Sequence, residues 1–127
     1  MEAQKKKILI IDDEPFVVRI LQANLKIEGY EVVAASDGEQ GLRAARREQP
    51  SLIILDVMLP KMSGWEVLTA LRADAATRHI PVLILTVLHE MEEPERQMTS
   101  LAQGFLTKPF EPMALIAAVH ELLGETA

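Results

Sequence analysis

The chain has 127 residues, 49% of them hydrophobic and 25% charged, which fits one soluble domain with a core of ordinary size. Its net charge of −6 disfavours nucleic acid as a direct partner, because phosphate binding requires a basic surface. The absence of cysteine excludes disulfides and thiol catalysis and is compatible with a cytoplasmic location. No apolar run approaches the roughly 20 residues of a membrane span, so no membrane partner is expected.

Short apolar runs alternate along the chain with segments of helical periodicity. The runs predict five strands, at residues 8–11, 31–35, 52–55, 81–85 and 105–107. The segments after the strands predict helices over residues 15–28, 39–48, 63–72, 94–104 and 111–123. A capping box, Ser63 with Glu66, begins the third helix. Pro94 suits the first turn of the fourth helix and Gly104 suits its end.

Strands that are apolar on both faces and joined by helical crossovers predict a parallel sheet covered by helices on both sides. The chain is therefore expected to fold as a doubly wound α/β sandwich of the (βα)5 type. In open sheets of this kind, ligands bind at the carboxyl ends of the strands. The residues that follow each strand are therefore the candidate site residues.

Four predicted strands run directly into polar side chains. They are Asp12 and Asp13 after the first strand, Asp56 after the third, Thr86 after the fourth and Lys108 after the fifth. Three clustered carboxylates repel each other unless a hard cation such as Mg²⁺ neutralises them. A carboxylate also acts as a nucleophile towards phosphorus, and a hydroxyl and an ammonium stabilise phosphoryl oxygens. Each residue alone is an ordinary turn or surface residue, so only their convergence on one sheet edge predicts a site.

These residues stand in segments that resemble a known family. Segments 8–14 (ILIIDDE), 55–64 (LDVMLPKMSG), 85–86 (LT) and 105–110 (FLTKPF) look like those of CheY-like receiver domains of two-component systems. The resemblance covers nearly the whole chain. It implies a flavodoxin-like sheet of strand order 2-1-3-4-5 and a single receiver domain over residues 1–127, with a core of about residues 6–124.

By this resemblance, Asp56 is the phosphoacceptor, which takes a phosphoryl group from a histidine kinase or phosphotransfer protein. Asp13, Asp56 and the backbone carbonyl of Met58 ligate Mg²⁺, and Asp12 acts mainly through a metal-bound water. Lys108 pairs with the phosphoryl group.

The resemblance also implies a conformational switch. Thr86 moves to hydrogen-bond the phosphoryl group while the aromatic ring of Phe105 turns inward, and the bond between Lys108 and Pro109 is cis. Contacts with partners change as a result. A homodimer through the face of the fourth helix, fifth strand and last helix is one outcome that this leaves open.

Two apolar positions are predicted to set the lifetime of the phosphorylated state. Met58, two residues after Asp56, and Leu88, two after Thr86, flank the place where water would attack the phosphoryl group. Neither side chain orients or activates that water, so slow hydrolysis is predicted. Val87 replaces the small residue usual in the family, which predicts narrower access for small-molecule phosphodonors.

Other functions fit the sequence less well. A phosphatase or hydrolase of the aspartate-nucleophile kind typically carries Asp-x-Asp on its first strand, whereas this chain has adjacent Asp12 and Asp13. A receiver used only for protein contacts is disfavoured because the full set of active-site side chains is present. The chain is therefore predicted to be a signalling switch and not an enzyme. A stand-alone receiver and a fragment of a longer response regulator or hybrid kinase both fit.

Overall fold

Five strands form one parallel sheet at the centre of the computed structural model, which describes residues 5–87 and 99–125 and gives only the backbone for 86, 87 and 99. The strands are β1 (Lys7–Ile11), β2 (Glu31–Ala35), β3 (Leu52–Asp56), β4 (Val82–Val87) and β5 (Gly104–Lys108). Their order across the sheet is β2-β1-β3-β4-β5, which confirms the predicted order. All four neighbouring pairs are parallel, as helical crossovers require.

Helices follow β1, β2, β3 and β5 at the predicted places. In the described residues they are α1 (Pro15–Ile27), α2 (Gly38–Glu48), α3 (Gly64–Ala73) and α4 (Pro112–Leu122), with a short 3-10 helix at Thr99–Leu101. The hydroxyl of Ser63 accepts a hydrogen bond from the N–H of Glu66 at 3.2 Å, so the predicted cap begins α3. The helix predicted to start at Pro94 begins outside the described residues. None of the helices described here is long and apolar enough to cross a bilayer.

The strand side chains alternate between two cores on opposite faces of the sheet. Leu9 and Ile53 belong to the core beneath α2 and α3, whereas Ile10 and Ile54 belong to the core beneath α1 and α4. All four are fully buried, and burial of each such side chain contributes about 1.5–3 kcal/mol. Packing on both faces fixes the positions of β1 and β3, and with them the positions of their carboxyl ends.

The prediction that Gly104 ends a helix is wrong, because Gly104 begins β5. The 3-10 helix ends at Leu101, whose carbonyl accepts a hydrogen bond from the Arg72 guanidinium at 2.9 Å. A Cβ on Gly104 would lie 3.2 Å from a methyl carbon of Leu83 and of Leu122. The glycine is therefore explained by close packing around β5 and not by a helix end.

Hydrogen bonds from Arg72 connect the end of α3 to the segment that leads into β5. Its guanidinium donates to the Ile80 carbonyl at 2.8 Å and to the Gln103 side-chain oxygen at 2.7 Å, besides Leu101. The same Gln103 oxygen accepts from the N–H of Val82 at 2.8 Å. Desolvation lowers the pKa of Arg72 from its ordinary value. These bonds satisfy the backbone where the chain enters both β4 and β5.

Candidate functional site

Two neighbouring strands place buried carboxylates side by side at the carboxyl edge of the sheet. Asp12 directly follows β1, and Asp56 is the last residue of β3; both side chains are almost completely buried. Asp13 is exposed beside them. Carboxylate oxygens of these three residues all lie within 4.8 Å of one another. The convergence predicted from the strand ends is therefore present in the structure for all three acids.

Lys108 reaches this cluster from the end of β5, and its side chain is only 12% exposed. Its Nζ lies 3.1 Å from Asp12 Oδ2, 3.2 Å from Asp56 Oδ2 and 3.3 Å from Glu14 Oε1. Desolvation acts to lower the pKa of Lys108, but the hydrogen bond and charge of Asp12 and the charge of Asp56 outweigh it, so the pKa is raised. The ammonium is thus held in its charged form among carboxylates.

Glu14 is a residue of the site to which the sequence analysis assigned no role. It follows Asp12 and Asp13 in the chain, so the run of three acids after β1 was the signal that could have identified it. Its N–H donates to Asp12 Oδ1 at 2.9 Å, and its carboxylate contacts Lys108. Glu14 therefore orients Asp12 and adds a third acid to the surroundings of the ammonium.

The surroundings of Asp56 act on its pKa in opposite directions. Burial raises the pKa, the N–H of Met58 lowers it by donating to Oδ1 at 3.0 Å, and the charge of Asp12 raises it. The charge and hydrogen bond of Lys108 lower it further, and the net effect is a raised pKa. Excess negative charge and desolvation therefore prevail over the single ammonium. Such a site favours any cation that can share the carboxylates.

A glycine allows the loop after β3 to return close to the site. A Cβ on Gly64 would overlap the carbonyl oxygen of Asp56 and lie 2.5 Å from the Cα of Val57. The Gly64 N–H donates to the Val57 carbonyl at 3.0 Å, and Lys61 adopts a left-handed backbone with φ of 68°. The N-terminus of α3 can approach β3 this closely only without a side chain. This contact fixes the path of the loop that carries Met58, whose side chain is 65% exposed.

Of the remaining predicted residues, Thr86 lies on β4, Phe105 lies on β5 and Pro109 follows β5. Leu85 is the register partner of Asp56, so the backbone of Thr86 lies one residue beyond it on the neighbouring strand. Phe105 is 40% exposed on β5, and the Lys108–Pro109 bond is cis. The other lifetime candidate, Leu88, lies outside the described residues, as does the predicted dimer face where it involves the fourth helix.

The sequence that builds this site also matches a known protein family. The model of the response regulator receiver domain matches residues 8–120. The chain belongs to this receiver domain family. It is 43% identical over 120 residues to the DNA-binding dual master transcriptional regulator RpaA of Synechocystis, covering 94% of this chain and 50% of that protein. Over 118 residues it is 44% identical to the alkaline phosphatase synthesis transcriptional regulatory protein PhoP of Bacillus subtilis, covering 93% and 48%.

This receiver domain also resembles solved structures over nearly its whole length. The chemotaxis protein CheY4 of Vibrio cholerae has a TM-score of 0.84 and 31% identity, covering 94% of this chain and 99% of that one. The receiver domain of a sensor histidine kinase from Pseudomonas aeruginosa has a TM-score of 0.87 and 27% identity, covering 96% and 100%, and holds a magnesium ion in its active-site cleft. The present chain spans about half the length of the two regulators named above.

Proposed function

We propose that this receiver domain accepts a phosphoryl group on Asp56 from a histidine kinase or phosphotransfer protein, and that the transfer requires Mg²⁺. One observation carries the proposal. The buried Asp56 carboxylate has oxygens within 4.8 Å of those of Asp12 and Asp13, and Oδ2 lies 3.2 Å from Lys108 Nζ. A carboxylate beside an ammonium and two further acids combines a nucleophile with a place for anionic oxygens and a cation.

In the proposed transfer, an oxygen of Asp56 forms a bond to phosphorus while the P–N bond of the donor phosphohistidine breaks. The electron pair of that bond leaves with the imidazole of the donor, so the step balances as a simple displacement. Lys108 lies close enough to Asp56 to neutralise an oxygen of the incoming group. The N–H of Met58, 3.0 Å from Oδ1, keeps the carboxylate oriented.

The residues of the site fit a magnesium ion because their donors are hard oxygen atoms. Asp13, Asp56 and the carbonyl of Met58 would hold it, and Asp12 would act through a metal-bound water. When bound, the ion neutralises charge on the carboxylates and the phosphoryl oxygens. The exposed Asp13 leaves the cluster open to solvent on one side, which supports entry of an ion.

Thr86 and Phe105 would change conformation in response to the phosphoryl group. We propose that Thr86 moves towards it and that the ring of Phe105, which is 40% exposed, turns inward. The phosphoryl group adds charge beside such a two-state element and shifts its population. To shift the populations of the two conformations from 1:99 to 99:1, the phosphoryl group must stabilise one conformation over the other by about 5.5 kcal/mol.

A protein donor needs a surface beside Asp56 on which to dock. A groove of about 560 Å³ runs from Lys108 and Pro109 to α1, where Phe16 is 73% exposed. An apolar side chain so exposed beside a charged site supports a protein as the phosphodonor. Phe16→Ala should therefore slow transfer from the kinase and leave phosphorylation by acetyl phosphate unchanged.

The biological setting is proposed from the family. Residues 1–127 would act as one receiver domain, in the cytoplasm, as a switch and not as an enzyme with an external substrate. RpaA and PhoP are named as transcriptional regulators and are about twice as long, which supports a receiver that belongs to a longer regulator.

Direct nucleic-acid binding by this domain is not expected because of its net charge of −6. Homodimerisation through the predicted fourth helix, β5 and α4 stays a prediction.

Incubation with Mg²⁺ and acetyl phosphate, followed by intact-mass measurement, tests the proposal. We expect a gain of one phosphoryl group that is lost in Asp56→Asn and when the metal is chelated. Asp74→Asn serves as the control. Asp74 lies at the end of α3, away from the site, and its carboxylate pairs with Arg46 of α2. Absence of an adduct with acetyl phosphate and with a cognate kinase would overturn the proposal.

A further inference from the structure

Met58 combines exposure with contact to the proposed phosphorylation site. Its side chain is 65% exposed, while its N–H lies 3.0 Å from Asp56 Oδ1. The side chain therefore branches from a backbone that touches the acceptor carboxylate, and it is itself open to solvent. A chemical change on this sulfur would act beside the phosphoryl group without having to enter the core.

The composition of the chain directs oxidants to methionine. The sequence contains six methionines and no cysteine, so no thiol is present to react first. Among the large hydrophobic side chains of the described residues, Met58 and Met113 are the exposed thioethers, at 65% and 83%. Met113 lies in the first turn of α4, on a different element from the acidic cluster. It provides an internal control for oxidation without effect on the site.

We propose that Met58 is an oxidation site through which peroxide shortens the lifetime of phosphorylated Asp56. Hydrogen peroxide transfers one oxygen atom to the Met58 sulfur: the O–O bond breaks, an S–O bond forms, the sulfur is oxidised by two electrons and water leaves. The product is a polar sulfoxide whose oxygen accepts hydrogen bonds. It converts an apolar neighbour, which cannot orient water, into one that can.

The consequence follows from where the water must attack. The lifetime of an aspartyl phosphate is set by the ease with which a water molecule reaches and attacks the phosphorus. A sulfoxide oxygen beside Asp56 is a strong acceptor that would hold and orient that water, whereas the thioether sulfur is only a weak acceptor. Because methionine sulfoxide reductases restore the thioether, the effect is reversible. The inference rests on the proposed phosphorylation of Asp56.

The experiment measures the first-order loss of phosphate from the Mg²⁺-loaded domain before and after peroxide treatment. Peptide mapping determines which methionines have gained an oxygen atom, and each protein is compared with its own untreated form. We expect roughly a threefold faster loss after oxidation of Met58, well below the hundredfold or more of a full general base. Treatment with methionine sulfoxide reductase should restore the original rate.

Two variants make the test specific. In Met58→Leu, which keeps the volume but has no sulfur, peroxide should leave the rate of phosphate loss unchanged. In Met113→Leu, peroxide should still accelerate the loss as in the unmodified chain. An unaltered urea midpoint after oxidation shows that the fold is intact.

Several results would overturn the inference. The first is that peroxide fails to oxidise Met58. The second is that Met58 is oxidised but the loss of phosphate is unchanged or slower. The third is that peroxide accelerates the loss of phosphate equally in Met58→Leu. The first of these is measured by peptide mapping alone, and the other two require a domain that takes up phosphate. Failure of Asp56 to be phosphorylated at all would instead overturn the proposed function on which the inference rests.

Discussion

The two ends of the sheet carry charges of both signs, but they arrange them differently. At the carboxyl end, the largely buried Lys108 ammonium lies within 3.3 Å of Asp12, Glu14 and Asp56. At the amino end, two acids each have cations of their own near the surface: Glu48 lies 2.8 Å from Lys7 and 2.9 Å from Arg47, and Glu125 lies 3.1 Å from Lys6. One end has three acids around one cation, whereas at the other end each of these two acids has at least one cation.

This difference is the one expected between the proposed phosphorylation site and a solvated surface. Buried charge is costly unless it is paired, and the carboxyl end leaves acids in excess. A divalent cation would neutralise that excess and allow a phosphoryl group to be accommodated beside it. The two acids at the amino end already have cations beside them, and surface ion pairs of this kind contribute little to stability. Removing charges should therefore change chemistry at one end and have little effect at the other.

The largest effect is expected from Lys108→Met. Phosphorylation by acetyl phosphate should slow by about a hundredfold, because one preorganised charge partner of the phosphoryl oxygens is lost. Lys7→Met, at the other end of the sheet, serves as the control and should retain the original rate. The rates are measured by intact mass over time. Equal slowing in both variants would show that the two ends do not differ as proposed.

Addition of Mg²⁺ should stabilise the fold through the carboxyl end. At a free concentration of 100 times its dissociation constant, an ion that binds only the folded state adds about 2.7 kcal/mol to the free energy of unfolding. Urea unfolding with and without Mg²⁺ measures the gain. Asp13→Asn removes a proposed ligand and should lose most of it. A gain of the same size in this variant would argue that the ion binds elsewhere.

The single tyrosine reports on the amino end. Burial, then the charge and hydrogen bond of Glu125, raise the pKa of Tyr30 from 10.0 to about 12. Because the folded state holds this proton more tightly, Tyr30 contributes stability that is complete below pH 10 and is lost as the pH rises towards 12. Ultraviolet titration of the phenol measures the pKa. Glu125→Gln should lower it while burial keeps it above the ordinary value, and titration at the ordinary value in the unaltered chain would contradict this account.

The smallest effect is expected from Lys7→Met on stability. The hydrogen bond from Lys7 to Glu48 raises the pKa of Lys7 and lowers that of Glu48, but both side chains still reach solvent, and Glu48 keeps Arg47 at 2.9 Å when Lys7 is replaced. The urea midpoint should stay within experimental scatter of the original, because water replaces the lost contact. A drop as large as that of a core truncation such as Leu55→Ala would mean that the amino end is not a simple solvated surface.

Most of the fold and the positions of the site residues were predictable because their signals are local. The apolar run 52–55 is recognisable as a buried strand from its own residues, and Asp56 follows it directly. Parallel strands bring their carboxyl ends to one edge, so Asp12 and Asp56 could be expected to meet. Gly104 was misassigned because a glycine after a helical segment and a glycine under packed leucines look alike in sequence.

The sequence by itself determined the order of the elements, the two-sided burial of the sheet and which acids end its strands. Only the tertiary structure decided that Lys108 lies among Asp12, Glu14 and Asp56, residues up to 96 positions away. It also decided that Gly64 must lack a side chain where α3 meets β3. The physical reason is the same in each case: periodicity and capping depend on neighbours in the chain, whereas ion pairing and close backbone approach depend on distances that exist only once the sheet and helices have packed.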